Sequence, residues 1–246
     1  MLAGMFLSKF DREGLQLLGF SGLWEAFNAM GYSLGGKPTS IKNYMQEFDP
    51  LFPNKRKGWH KRDLRPHCRE AFNRYGHLPL ADFFRLLAPL VLPSVMPLPD
   101  GMDELAELDD GAFENTSFSR RLITGAAAEG FFEACFPKLV EFTNFSLSNV
   151  THFGCGFDFR LQPHDSRPFL AVEVKGMAGA AGEVMMTRKE HQVAAFLRDR
   201  YFLCVVRNFN ERPVLTLFQN PLEEGLDFAR REHQQTTITW HAKISA

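Results

Sequence analysis

The stretch FLAVEVKG, Phe169 to Gly176, combines strand-forming residues with two opposite charges, Glu173 and Lys175. A short run of apolar and β-branched residues predicts a strand, and strand side chains alternate between the two faces. Glu173 and Lys175 therefore project from one face, with Leu170, Val172 and Val174 on the other. The charged pair is either an ion pair on the surface of an edge strand or part of a site, and the flanking segments bear on that choice.

Upstream, GFDFRLQ (Gly156 to Gln162) alternates as a second strand, joined to the first through the turn-rich PHDSRP. Its Asp158 precedes Glu173 by fifteen residues. If the two strands are neighbours, Asp158 lies beside Glu173 at one end of the sheet. Like charges sharing a site are costly unless a cation or a proton intervenes. All-oxygen ligands favour Mg²⁺, with Mn²⁺ as a substitute, held by one or two carboxylates, water and a substrate phosphate. The backbone carbonyl of Val174 offers a further oxygen. Lys175 is placed to orient or deprotonate a water and to steady charge on a phosphoryl transition state, which suits phosphodiester hydrolysis.

Around these strands the pattern is that of an α/β domain with a mixed sheet. RLITGAAAEGFFEACFPKL and TRKEHQVAAFLRDR read as helices, whereas YFLCVVRNF, PVLTLFQN and a terminal TTITWH read as strands. Thr187 and Glu190 form a capping box, with Arg188, Lys189 and Gln192 near the helix start, where backbone N–H groups and basic side chains suit a phosphate. His152 and His191 could act as acid or base, although a lone His is more often structural. Gly176 and Gly179, in GMAGAAG, predict either a flexible loop that admits a nucleic-acid backbone or an ordinary connector.

The first third is helical, with apolar periodicity in GLQLLGFSGLWEAFNAMG, CREAFNRYG and LADFFRLLAPLV, and with Ser40 as a cap for IKNYMQEF. Within it, Asn54 to Arg74 holds eight Lys/Arg against Asp63 and Glu70. Lys55, Arg56, Lys57, Lys61, Arg62 and Arg65 are the candidate phosphate contacts, with Trp59 and His60 adding planar surfaces; the alternative is a solvated face. Charge divides the chain. Residues 1–92 carry 13 basic and 8 acidic residues, 93–119 carry none and 7, and 120–246 carry 15 and 14. The expected organisation is a helical, basic domain over 1–92, an acidic Pro-containing linker over 93–119 able to lie across a basic groove, and an α/β domain over 120–246.

No apolar run approaches the roughly 18 to 20 residues of a membrane span, and MLAGMFLSKFDREG becomes charged too early for a secretory signal. A cytoplasmic protein is expected. Cys68, Cys135, Cys155 and Cys204 lack zinc-ligand or disulfide spacing and read as buried thiols.

Asp158 followed by Glu173-Val174-Lys175 on the next strand resembles the PD-(D/E)xK nuclease superfamily. The longer pattern AAAEGFF, GFDFRL, FLAVEVKG, MTRKEHQVA and YFLCVVRN, over roughly residues 120–210, is similar to the nuclease-like domain named after the C-terminal region of the plant protein NO VEIN, found in bacterial restriction and phage-defence proteins. The resemblance implies a restriction-endonuclease-like mixed sheet flanked by helices. It implies that Asp158, Glu173 and Lys175 bind metal and activate water, that Glu129 completes the metal site with Glu133 as fallback, and that Phe157 replaces the superfamily's Pro. The activity so implied is a Mg²⁺-dependent endodeoxyribonuclease of a restriction or antiviral system, with DNA as substrate and other defence subunits as partners; cutting both strands with one site per chain usually calls for two chains, so a homodimer is expected. Two alternatives stay open: an idle nuclease fold serving as a nucleic-acid-binding or assembly module, and a structural or toxin-like protein whose basic stretch binds RNA.

Overall fold

The computed structural model describes residues 1–91, 116–223 and 225–232 and Ala242, with side chains from residue 120 onward in the second stretch. The N-terminal region contains α1 (Leu2–Leu17), α2 (Leu23–Ser33), α3 (Pro38–Phe48), α4 (Pro66–Tyr75) and α5 (Leu80–Val91). The opening segment, expected only to be too charged for a signal, is the first turns of α1, and it buries Met5, Phe6 and Leu7. The periodic stretch Gly14 to Gly31 is split, because Gly19 takes a left-handed φ of 75° between α1 and α2. Ser40 is not a cap: Pro38, whose fixed φ suits the first helical position, starts α3 two residues earlier.

After α6 (Thr116–Cys135) come β1 (Phe145–Asn149), β2 (Phe159–Pro163), β3 (Leu170–Gly176), α7 (Arg188–Leu197), β4 (Tyr201–Arg207) and β5 (Val214–Gln219). They form a five-stranded mixed sheet in the order β1-β2-β3-β4-β5. Only β3 and β4 are parallel, and α7 makes the crossover that a parallel pair requires. Strand β1 is additional to the strands expected from the sequence, although its inward Phe145 and Leu147 alternate with Ser146 and Ser148. The expected TTITWH strand and nearly all of the acidic linker lie outside the described residues.

Helix α6 covers one face of the sheet. Ile123, Ala127, Ala128 and Phe132 share a core with Phe159, Val172, Val174, Phe202 and Cys204. This core continues into the N-terminal helices, through Phe6, Met30, Phe48 and Phe83. Gly130 lets α6 lie directly on the Tyr32 carbonyl of α2, and the Tyr32 and Phe131 rings meet edge to face at 4.9 Å. Asn28 adds hydrogen bonds from its Nδ2 to the carbonyls of Phe209 (2.7 Å) and Glu211 (2.9 Å). The helical region and the sheet are thus packed as one body around α2 and α6. On the opposite face α7 contributes Ala194 and Leu197 to a smaller cluster with Ala171 and Tyr201. Cys68 and Cys204 are buried thiols as expected, but Cys135 and Cys155 are only partly covered.

Candidate functional site

The site grows out of the point where the β2–β3 ladder stops. Pairing runs from Leu161–Leu170 to Phe159–Val172, and beyond it the β3 backbone would face no partner on that side. A backbone N–H left in a covered position needs an acceptor. Asp158, immediately before β2, supplies one: its Oδ2 accepts the Val174 N–H at 2.8 Å, and its own N–H donates to the Val172 carbonyl at 3.0 Å. Asp158 therefore brackets Glu173 from both sides along the chain. In an extended residue the N–H and C=O point to the same edge, so the Val174 carbonyl also faces Asp158.

Strand alternation places Glu173 and Lys175 with Ala171 on the face covered by α7. Glu173 is only 4% exposed. Lys175 Nζ donates to Glu173 Oε1 at 2.6 Å and to Glu190 Oε2 at 2.9 Å. The capping box read from the sequence is present. Thr187 accepts the Glu190 N–H, and Glu190 Oε2 accepts the Thr187 N–H at 2.9 Å. Capping is only half of the role of Glu190, since the same carboxylate oxygen also holds Lys175.

Glu129 approaches from α6, in the helix layer of the other face, and Thr151 ties it in. The Thr151 hydroxyl lies 3.3 Å from Glu129 Oε2 and 3.4 Å from the Asp158 carbonyl. Gly176 makes this approach feasible, since a Cβ there would stand 2.6 Å from the Thr124 carbonyl of α6. Close helix packing, rather than loop flexibility, accounts for that glycine. The following loop is held by backbone bonds from Met177 N–H to the Val206 carbonyl and from Asn208 N–H to the Gly179 carbonyl, both 2.8 Å.

Burial and mutual repulsion raise the carboxylates. Glu129 is pushed up to about 7 by desolvation and then by Asp158. Glu173 is pushed up to about 8 by desolvation and Asp158, against the opposing pull of Lys175. Asp158 is raised by burial, with the Val174 N–H and Lys175 opposing. Burial disfavours the Lys175 ammonium, but Glu173 and Glu190 outweigh it and the net shift is upward. The ammonium form of Lys175 is thereby favoured, and it donates to both carboxylates. Tyr201, raised by burial, keeps its hydroxyl proton and donates it to the Gly156 carbonyl at 3.1 Å.

Lys175 pairs with Glu173 and Glu190, while the Asp158 charge acts on both Glu173 and Glu129. Among the described residues no group of three or more His, Cys, Asp or Glu converges as a preformed cage. Asp158, Glu173 and the Val174 carbonyl offer oxygen donors, the kind that hard cations take. Glu133 is exposed and raises Glu129 only through its charge.

The other candidates are dispersed. Arg188 and Gln192 are exposed on α7, and Lys189 donates to the Gly154 carbonyl. In the basic stretch Arg56 is committed internally: it pairs with Asp11 and with Asp49 (2.9 Å) and donates to the Leu7 and Ser8 carbonyls. Arg65 binds the buried Glu47 (Nε to Oε2, 2.7 Å), and Arg62 reaches the same carboxylate at 3.4 Å while stacking on Trp59. Lys55, Lys57 and Lys61 are exposed.

An acid before one strand, a Glu-x-Lys on its antiparallel neighbour and a Glu from the covering helix define an α/β protein with a carboxylate–lysine site at a strand end. Residues 134–218 match the family model described as "Protein NO VEIN, C-terminal". The match takes in β1 to β4 and β5 as far as Phe218, with Asp158, Glu173, Lys175 and Glu190, and leaves Glu129 and the N-terminal helices outside. No curated protein and no solved structure matches the chain. Among the described residues no helix is long and apolar enough to cross a membrane.

Proposed function

We propose that the protein is a Mg²⁺-dependent endodeoxyribonuclease, using Mn²⁺ as a substitute and serving a restriction or antiviral system in the cytoplasm. The observation that carries this reading is the pair of mutually repelling carboxylates, half-buried Asp158 and buried Glu173, where the β2–β3 ladder ends. A purely structural site gains nothing from such repulsion, which costs stability unless positive charge enters. Asp158, Glu173 and the Val174 carbonyl, with Glu129 alongside, would hold the cation. When bound, it would lower the pKa of water and neutralise a phosphate.

The chain's own groups supply the rest. Lys175 has three N–H donors, of which Glu173 and Glu190 occupy two, leaving one for a phosphoryl oxygen as negative charge builds there. Glu190 fixes the direction of that donor. The start of α7, with Arg188 and Gln192, and the exposed Lys55, Lys57 and Lys61 are the proposed contacts to the DNA backbone. Cleavage of both strands by one site per chain calls for a homodimer or a partner subunit.

A second reading, an idle nucleic-acid-binding or assembly module, is favoured by one observation: Lys175 is ion-paired on two sides and could serve structure alone. Incubating the purified protein with plasmid and phage DNA, with Mg²⁺, without it and with EDTA, separates the two. Nicking or linearisation only with Mg²⁺ supports the nuclease. Intact DNA under every condition leaves the module.

A further inference from the structure

The loop between β1 and β2 is anchored at both ends and along its length. Val150 N–H donates to the Asp158 carbonyl at 2.7 Å, the Thr151 hydroxyl reaches Glu129 and Asp158, Lys189 holds the Gly154 carbonyl, and Tyr201 holds that of Gly156. Gly154 and Gly156, with φ of 56° and 92°, give the turns this path needs, and Gly156 lies against Val193 of α7. Phe153 takes part in none of these anchors. It is 72% exposed at the tip of the single 3₁₀ turn Thr151–Phe153, and its ring lies 4.1 Å from that of His152, at 37°.

Phe153 presents a large apolar ring to water on an anchored turn, two residues from the threonine that binds Glu129. Its surface is flat, apolar and backed by a second ring, which matches the π-face of a nucleobase. We propose that His152 and Phe153 form a stacking platform for an unpaired base of a DNA strand whose backbone passes the Glu129–Asp158–Glu173 site. In paired DNA the bases are already stacked on each other, so the platform favours single-stranded or locally opened DNA. Its location beside a phosphodiester site rests on the nuclease reading, whereas the stacking itself does not require cleavage.

The test uses the full chain with Ca²⁺ in place of Mg²⁺, and single-stranded oligonucleotides carrying 2-aminopurine, alongside duplexes of the same sequence. With wild type, 2-aminopurine fluorescence should be quenched on binding. Phe153→Ala should abolish the quench and weaken single-strand binding by about 5- to 150-fold, the range for removal of one base–aromatic stack, with duplex binding unchanged. Phe153→Trp should retain both. Equal single-strand affinity for wild type and Phe153→Ala, equal weakening on duplex, or no strand binding by wild type overturns the proposal. Plasmid cleavage with an indifferent Phe153→Ala refutes the platform alone, whereas an abolished quench without any cleavage refutes the nuclease reading alone.

Discussion

Lys175 Nζ and Glu190 Oε2 meet at 2.9 Å across the gap between β3 and α7, and the same Glu190 oxygen accepts the Thr187 N–H that starts the helix. One carboxylate therefore couples the helix cap to the ammonium of the site. The two roles separate on substitution. Glu190→Gln keeps an acceptor for Thr187, so thermal stability should change little, but it removes the charge that holds Lys175. Nuclease turnover should fall roughly tenfold, in line with one charge-assisted bond of about 1.5 kcal/mol, with KM little altered. Glu190→Ala should show the same fall in turnover and be about 1 kcal/mol less stable. Equal turnover for wild type and Glu190→Gln would leave Glu190 as a cap only.

The raised carboxylates fix the sign of the pH dependence in the absence of divalent cation. Glu129, at about 7, and Glu173, at about 8, bind protons in the folded state that the unfolded chain has already released. Their contribution is fully present below about 4.5 and is lost as pH rises through the folded values, so stability should decline between about pH 4.5 and 8. Melting temperatures in EDTA across that window would measure it. Glu173→Gln should flatten the decline and raise stability at pH 8. Mg²⁺ should stabilise wild type more at pH 8 than at pH 6 and should stabilise Glu173→Gln hardly at all. Asp158→Ala and Glu173→Ala should both abolish Mg²⁺-dependent cleavage, and undiminished cleavage by either would remove that residue from the metal site.

Removing Lys175 should cost stability as well as the proposed activity. Its loss leaves Glu190, and above about pH 8 the buried Glu173 as well, without a counter-charge, and breaking a buried pair in this way typically costs about 3 kcal/mol or more. Lys175→Ala should therefore melt earlier in EDTA, recover with Mg²⁺, and turn over at least about 10²-fold more slowly than wild type. A full-rate Lys175→Ala enzyme would reduce the lysine to an ion-pair partner.

What the sequence disclosed follows from which interactions are local. Alternation in FLAVEVKG places Glu173 and Lys175 on one face from their own spacing, and the Thr187–Glu190 box is written in four consecutive residues. Asp158 is legible as a site residue because its strand neighbours the next, but its bond to the Val174 N–H depends on where the ladder ends, which no local pattern encodes. Thr151 and Tyr201 escape a reading of the sequence for the same reason: each acts on a residue distant in the chain. The shared core of the helical region and the sheet is equally hidden, since Gly130 against Tyr32 is a contact between helices separated by the acidic stretch. In Asn54 to Arg74 the density of basic residues is plain, yet density does not reveal that Arg56 and Arg65 answer buried acids elsewhere.

That last distinction divides the basic stretch into two experiments with opposite outcomes. Asp49 is 2% exposed, and its Oδ2 already has no hydrogen-bond partner, so it depends on Arg56 for neutralisation. Arg56→Ala should cost about 3 kcal/mol, visible as a lower denaturation midpoint, because it leaves a buried carboxylate unpaired. Lys55, Lys57 and Lys61 are exposed, and replacing all three with Ala should leave the stability within about 0.5 kcal/mol of wild type. If they neutralise phosphates, the same triple variant should bind duplex DNA more weakly at every sequence, with the dependence of log K on log salt flattened by about 0.9 for each phosphate no longer neutralised. Fluorescence anisotropy at several salt concentrations reads that slope, and cleavage should return at low salt because the catalytic groups are untouched. An unchanged slope would move the DNA-binding surface to the start of α7, where Arg188→Ala and Gln192→Ala would be the variants to measure.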